Sequence, residues 1–147
     1  MTHVNTTADP TSLQSLLAEL PINLLAGRRV LVTGAARGLG LAFAQCIAKA
    51  GASVVLADIL AELARSEAQA LREAGFNAHA VAIDLSDPVS ITRGGGEAER
   101  LLGGLDGLVN NAAITNSGGR DAHALDIDTW DRVMAVNVRG TWLMSRA

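Results

Sequence analysis

The chain has 147 residues, 49% of them hydrophobic and 18% charged, and it carries a net charge of −3 at pH 7. This length and composition are typical of one globular domain with a sizeable core, and they exclude a disordered chain. The acidic balance and the lack of a basic run argue against nucleic acid as the main partner.

The cysteine and histidine content narrows the class of protein further. The single cysteine, Cys46, excludes a disulfide framework and favours a cytoplasmic location, and we expect it to be a small buried apolar group. The three histidines are scattered along the chain and predict no metal site. No apolar run is long enough to predict a membrane span, and the N-terminus lacks the pattern of a signal peptide.

Residues 1–26 are predicted to be an N-terminal extension of a domain formed by residues 27–147. After a polar start, leucines repeat with helical spacing at positions 13, 16, 17 and 20, and Pro21 ends the pattern. This spacing predicts a short amphipathic helix. The helix could pack on the domain or on another subunit, or be a loosely held leader, and we assign it no chemistry.

Strand and helix patterns alternate through the rest of the chain. Continuous apolar runs predict buried strands at residues 28–34, 53–57, 78–83 and 105–110. Helices are predicted at residues 38–50, 60–74, 89–102 and 129–147. The last of them is expected to begin after an Asp128 N-cap. This alternation predicts an α/β fold, a doubly wound parallel sheet of the Rossmann type, with strand order 3-2-1-4.

One segment conflicts with its surroundings. The run Gly94–Gly96 lies inside the predicted helix 89–102, and each interior glycine costs roughly 1 kcal/mol relative to alanine. We therefore expect either a broken helix or a sequence altered from a better helix former. A phosphate-binding role is not favoured, because no strand leads into the run.

The first predicted strand leads into a glycine-rich turn, Thr-Gly-Ala-Ala-Arg-Gly-Leu-Gly. Gly34 would allow a sharp turn, Gly38 would let a pyrophosphate approach the backbone, and Gly40 would let the next helix pack close to the strand. The N-terminus of that helix would favour an anionic ligand. Such a turn alone is weak support for a nucleotide site, but Asp58 at the end of the second strand strengthens it.

With this glycine spacing and Asp58, the chain resembles the short-chain dehydrogenase/reductase family. The resemblance implies that Asp84 hydrogen-bonds the adenine amino group of a dinucleotide and that the backbone of Leu85 lines the same pocket. The implied cofactor-binding residues are Gly34, Arg37, Gly38, Leu39, Gly40, Asp58, Asp84, Leu85, Asn111 and Ala112.

Two later motifs extend the resemblance to the end of the chain. Residues 110–113 read Asn-Asn-Ala-Ala where the family usually has Asn-Asn-Ala-Gly. There the resemblance implies that Asn110 mainly braces the sheet, while Asn111 and Ala112 border the cofactor ribose. In Asn-Val-Arg-Gly it implies that Asn137 is the catalytic asparagine, which holds a helix irregularity and a water of the proton relay.

The predicted cofactor is NAD, with NADP less favoured. The carboxylate of Asp58 could accept hydrogen bonds from both adenosine ribose hydroxyls. It would repel a 2′-phosphate by about 4 kcal/mol per charge pair at 4 Å in a surface-like dielectric. Arg37 argues weakly the other way, because a cation in the turn could reach a 2′-phosphate.

The resemblance also implies a reaction, hydride transfer between the nicotinamide and an alcohol or carbonyl carbon. The family uses a serine, a tyrosine and a lysine four residues after it, but this chain has no tyrosine and its one lysine is Lys49. We therefore expect a C-terminally incomplete, cofactor-binding half that is inactive alone, with the Rossmann fold truncated after the fourth strand and its helix. The intact protein is expected to be a homo-oligomer acting on a small alcohol or ketone.

Two other readings stay open. The chain could be a non-catalytic dinucleotide-binding module, or a pseudoenzyme partner of a full-length subunit. A Rossmann methyltransferase would share an acidic residue after the second strand, but it fits the glycine turn and Asn-Asn-Ala-Ala poorly.

Overall fold

The structure, a computed structural model, describes residues 23–115 and 121–147. The short helix predicted within the N-terminal extension falls on residues 1–22 and lies outside the described residues. Residues 23–27 form a turn that packs on the domain. In that turn the backbone N–H of Leu25 donates to the carbonyl of Ala50 at 2.8 Å, and the Leu25 side chain packs against the core.

Four parallel strands form one sheet, with the order β3-β2-β1-β4 that the sequence predicted. The strands are β1 (Arg29–Thr33), β2 (Ser53–Asp58), β3 (Ala78–Ala82) and β4 (Gly107–Val109). Val30 of β1 lies opposite Val54 on one side and Gly107 on the other. The connection after β1 runs to β2 on one side, and the connection after β3 crosses back to β4 on the other side of β1. This reversal of direction creates the crevice in which ligands of such sheets bind.

Helices connect the strands and form the C-terminal part of the chain. They are α1 (Gly38–Lys49), α2 (Ala61–Glu73), α3 (Pro88–Leu102), α4 (Ile127–Met134) and α5 (Thr141–Arg146). A π-helical segment, Ala135–Gly140, joins α4 directly to α5. A short 3-10 turn, Ala122–Ala124, precedes α4. None of the helices in the described ranges has the length and apolar character that crossing a membrane requires.

The core has two layers, one on each face of the sheet. Alternate strand residues point to opposite faces, so neighbouring positions in β1 and β2 serve different layers. One layer packs against alanines of α1 and α2, and its strand members include Val30, Val32, Val54 and Leu56. The other packs against α3 and α5, and it includes Leu31, Val55, Val81, Ile91 and Met144. Helices thus cover both faces, as a doubly wound fold requires.

The helix α3 is continuous through its glycines, so the first of the two expected alternatives, a broken helix, is wrong. Asp87 caps its start by accepting a hydrogen bond from the Val89 N–H at 2.9 Å, and Gly103 ends it with a φ of +72°. At Gly94 an added Cβ would lie 2.4 Å from Cγ1 of Ile83. Close packing on the sheet therefore requires a glycine at Gly94, and packing and caps together offset its low helix propensity.

Two smaller predictions are also corrected. The N-cap of α4 is Asp126, whose Oδ1 accepts from the Thr129 N–H at 2.8 Å, while Asp128 lies in the first turn. Two aspartates two residues apart offer the same cap signal, and only one reaches the third helical N–H. Cys46 is exposed rather than buried, because the buried stripe of α1 runs along Gly40, Ala44 and Ala48.

Candidate functional site

A cavity of about 770 Å³ lies at the carboxyl ends of the parallel strands. The predicted cofactor-binding residues that line it are Gly34, Arg37, Gly38, Leu39, Asp58, Asp84, Leu85, Asn111 and Ala112. They come from the segments that follow all four strands. Gly40 is the predicted residue that does not line the cavity, because it packs behind the turn.

The three glycines of the turn lie in three different environments. Gly34 has a φ of +66°, and an added Cβ would lie 2.8 Å from the Cα of Ala112. At Gly40 the added Cβ would lie 2.0 Å from the carbonyl oxygen of Gly34. Gly38 has a φ of +60° and no protein atom within 4 Å of such a Cβ, so its backbone faces open space in the cavity. The turn therefore leaves room for a ligand at Gly38 alone.

Asp58 joins the end of β2 to the glycine-rich turn. Its Oδ2 accepts a hydrogen bond from the Ala36 N–H at 2.9 Å, and its Oδ1 accepts one from the Leu60 N–H at 2.9 Å. A carboxylate offers about four acceptor positions, so these two bonds leave capacity for a ligand. Arg37 is exposed at the N-cap of α1 and lines the same cavity.

In the segment after β3, hydrogen bonds with two serines hold Asp84 at the cavity. Oδ1 of Asp84 accepts hydrogen bonds from the N–H of Ser86 at 2.8 Å and from its hydroxyl at 2.7 Å. The Asp84 N–H donates to the hydroxyl of the buried Ser90 at 3.0 Å. Sequence reasoning missed both serines, although the Asp-x-Ser spacing is the signature of an Asx turn.

The asparagine that braces the sheet is not Asn110, as the resemblance implied, but its neighbour Asn111. Nδ2 of Asn111 donates to the carbonyl oxygens of Thr33 at 3.0 Å and Gly34 at 3.2 Å, so Asn111 braces the sheet. Asn110 instead donates to the Ser145 hydroxyl of α5 at 2.9 Å. Adjacent residues of an extended segment point to opposite sides, and only one of the pair can face β1. Asn111 also lines the cavity, as predicted.

Thr33 is a site residue that the sequence did not single out. Its hydroxyl donates to the Val109 carbonyl at 3.3 Å and accepts from the N–H groups of Asn111 and Ala112, each at 3.1 Å. The side chain is 2% exposed. The signal in the sequence that could have identified Thr33 is its position as a single polar residue at the end of an apolar strand.

Asn137 lies within the π-helical segment, where the resemblance implied a helix irregularity. Its Nδ2 donates to the carbonyl of Ile114, and its Oδ1 accepts from the Ile114 N–H, both at 2.8 Å. Ile114 lines the cavity, whereas Asn137 itself does not. The amide therefore fixes the segment after β4, and its catalytic role stays a prediction.

The perturbed titratable groups lie outside the cavity lining. The Arg29 guanidinium hydrogen-bonds Asp106 at 2.8 and 3.0 Å and lowers the pKa of that carboxyl to about 2. Burial lowers the pKa of His79, and the nearby charge of Arg72 lowers it further. Within the described ranges, no three His, Cys, Asp or Glu side chains form a group that could hold a metal ion.

A parallel sheet, a glycine-rich turn between β1 and α1 and an acidic residue at the end of β2 together define a dinucleotide-binding α/β domain. Residues 28–147 match the family model described as short chain dehydrogenase. The chain belongs to the short-chain dehydrogenase family.

Relatives of known function and structure agree with this assignment. The chain is 40% identical over 125 residues to 2-(S)-hydroxypropyl-CoM dehydrogenase 3 of Xanthobacter autotrophicus, a match that covers 85% of this chain and 48% of the relative. A short chain dehydrogenase from Burkholderia cenocepacia, solved in complex with NADP, has a TM-score of 0.77 and 36% identity, covering 84% of this chain and 50% of that one. A 3-ketoacyl-(acyl-carrier-protein) reductase from Brucella melitensis, complexed with NADH, has a TM-score of 0.77 and 37% identity, covering 83% and 48%. The chain thus spans about half the length of these relatives.

Proposed function

We propose that this chain binds NAD(H) as the cofactor-binding portion of an oxidoreductase acting on an alcohol or carbonyl substrate. The observation that carries the proposal is the cavity that Gly38 leaves open beside the carboxylate of Asp58. A bound nicotinamide dinucleotide would supply or accept the hydride. The protein's own contribution is to hold and orient that cofactor.

The residues around the cavity fit the parts of a dinucleotide. The backbone at Gly38, at the start of α1, fits a pyrophosphate because no side chain blocks it. The remaining acceptor capacity of Asp58 fits two ribose hydroxyls. The carboxylate of Asp84 fits the adenine amino group, and Asn111 and Ala112 would border the nicotinamide ribose.

Asp58 supports NAD rather than NADP as the cofactor. A 2′-phosphate at 4 Å from its carboxylate would be repelled by about 4 kcal/mol per charge pair in a surface-like dielectric. Arg37 is exposed and lines the same cavity, so its charge argues weakly for NADP. The family includes proteins solved with NADP and with NADH. The preference between the two cofactors must therefore come from the residues of this chain.

We also propose that the 147 residues alone do not catalyse the oxidation of an alcohol. A tyrosine is the proton donor that the family resemblance implies, and this sequence has none. A non-catalytic dinucleotide-binding module is the second candidate, since it would need the cavity and no tyrosine. For the protein in its active form we propose a cytoplasmic homo-oligomer with a small alcohol or ketone as substrate.

Cofactor titration tests the proposal. The unmutated chain should bind NADH at least about tenfold more tightly than NADPH, and Asp58→Asn should narrow that ratio. Asp131→Asn is the control, because Asp131 is exposed and does not line the cavity. A preference for NADPH would contradict the choice of cofactor. Measurable oxidation of secondary alcohols by the purified chain would contradict the expected inactivity.

A further inference from the structure

The π-helical segment contacts the segment after β3, on the side of the cavity where Asp84 lies. Nη2 of Arg139 donates a hydrogen bond to the carbonyl oxygen of Ser86 at 3.0 Å. Next to it, Gly140 packs so closely on Leu85 that an added Cβ would lie 2.3 Å from the Leu85 carbonyl oxygen. The helix and this loop are thus in backbone contact, and Arg139 adds a side-chain bond across the same contact.

Ser86 passes this restraint to Asp84. Both the N–H and the hydroxyl of Ser86 donate to Oδ1 of Asp84. Among the described residues, Oδ2 of Asp84 has no hydrogen-bond partner, and the residue lines the cavity. The orientation of Oδ2 is therefore set by Ser86, which Arg139 in turn holds from outside the cavity.

We propose that Arg139 is a positioning residue for the adenine end of the cofactor site. Arg139 does not line the cavity, so it acts through Ser86 and Asp84 rather than by touching the cofactor. The inference rests on the proposed function, because a dinucleotide supplies the amino group that Asp84 accepts. We therefore expect that replacing Arg139 weakens the recognition of that amino group and no other part of cofactor binding.

The test compares Arg139→Met with Arg146→Met. Arg146 is the matched control, because it is an arginine of the same continuous helix and lies 5.0 Å over the Trp142 ring, away from the cavity. Each protein is titrated with NADH and with reduced nicotinamide hypoxanthine dinucleotide. In the second compound a carbonyl oxygen replaces the amino group, so a fixed carboxylate repels it.

The unmutated chain and Arg146→Met should bind NADH roughly tenfold more tightly than the hypoxanthine compound. Arg139→Met should lose about fivefold in NADH affinity and little for the hypoxanthine compound, so the ratio falls to about two. A merely structural defect would weaken both ligands equally. Equal losses, or no loss, would overturn the inference.

Hydrogen exchange without cofactor gives a second readout. The Asp84 amide donates to the Ser90 side chain at the start of α3, and the Ser86 amide donates to the Asp84 side chain. In Arg139→Met both amides should exchange several-fold faster than in Arg146→Met. Unchanged exchange would overturn the inference whatever the binding result. If the unmutated chain binds neither dinucleotide, the proposed function fails and the inference fails with it. If the unmutated chain binds NADH but Arg139→Met leaves the ratio of the two affinities unchanged, only the inference fails and the proposed function stands.

Discussion

Gly38 begins α1 and faces the cavity, so Gly38→Ala tests the glycine-rich turn directly. Its φ of +60° lies in the left-handed region, which costs an L-residue roughly 1–2 kcal/mol. No protein atom lies within 4 Å of the added Cβ, so the unliganded chain should lose about that much stability and no more. The same Cβ would occupy space at the phosphates, and we expect NADH affinity to fall at least about tenfold, or 1.4 kcal/mol.

The matched control is Gly103→Ala, which imposes the same backbone strain away from the site. Gly103 has a φ of +72°, has no atom within 4 Å of an added Cβ, and follows α3 outside the cavity lining. Urea unfolding should show similar losses for the two variants, while NADH fluorescence titration should show a loss for Gly38→Ala alone. Equal NADH affinity in both variants would refute the role of Gly38.

Two further predictions concern stability. Gly96→Ala should stabilise the chain by about 0.5–1 kcal/mol, because its Cβ meets nothing within 4 Å, whereas overpacking against Ile83 should make Gly94→Ala about 1–3 kcal/mol less stable than Gly96→Ala. Urea unfolding compares the pair, and equal stabilities would contradict the close packing of α3. The folded pKa of Asp106, about 2, lies below its usual 3.8, so its pairing with Arg29 stabilises the fold above about pH 4 and is lost as the pH falls through about 2. Asp106→Asn should therefore flatten the pH dependence of unfolding in that range, and unchanged dependence would count against the pair.

Most of the fold could be predicted from the sequence because its signals are local. Strand runs, helix patterns and terminating glycines specify the parallel sheet, and right-handed crossovers restrict the strand order. The glycine turn was equally readable, since the φ of +66° at Gly34 and the close contact at Gly40 are demands that few other residues meet.

The remaining features depend on contacts between distant residues. Nothing in Asn-Asn shows that Asn111 rather than Asn110 faces Thr33, which lies 78 positions earlier. The helix α3 is continuous because its caps and its close packing, which Gly94 permits, offset the low helix propensity of its glycines. The bond of Arg139 to Ser86 spans 53 positions and is visible only once the π-helical segment is in place.

The central claim is that the crevice at the carboxyl ends of the strands binds NADH. Its most direct test is a titration of the ¹⁵N-labelled chain with NADH, followed by the backbone amide signals in NMR spectra. We expect saturable shifts at Gly38, Leu39, Leu60 and Ser86, with little change at Asp106 on the opposite end of the sheet. Absence of shifts, or shifts centred away from the crevice, would contradict it.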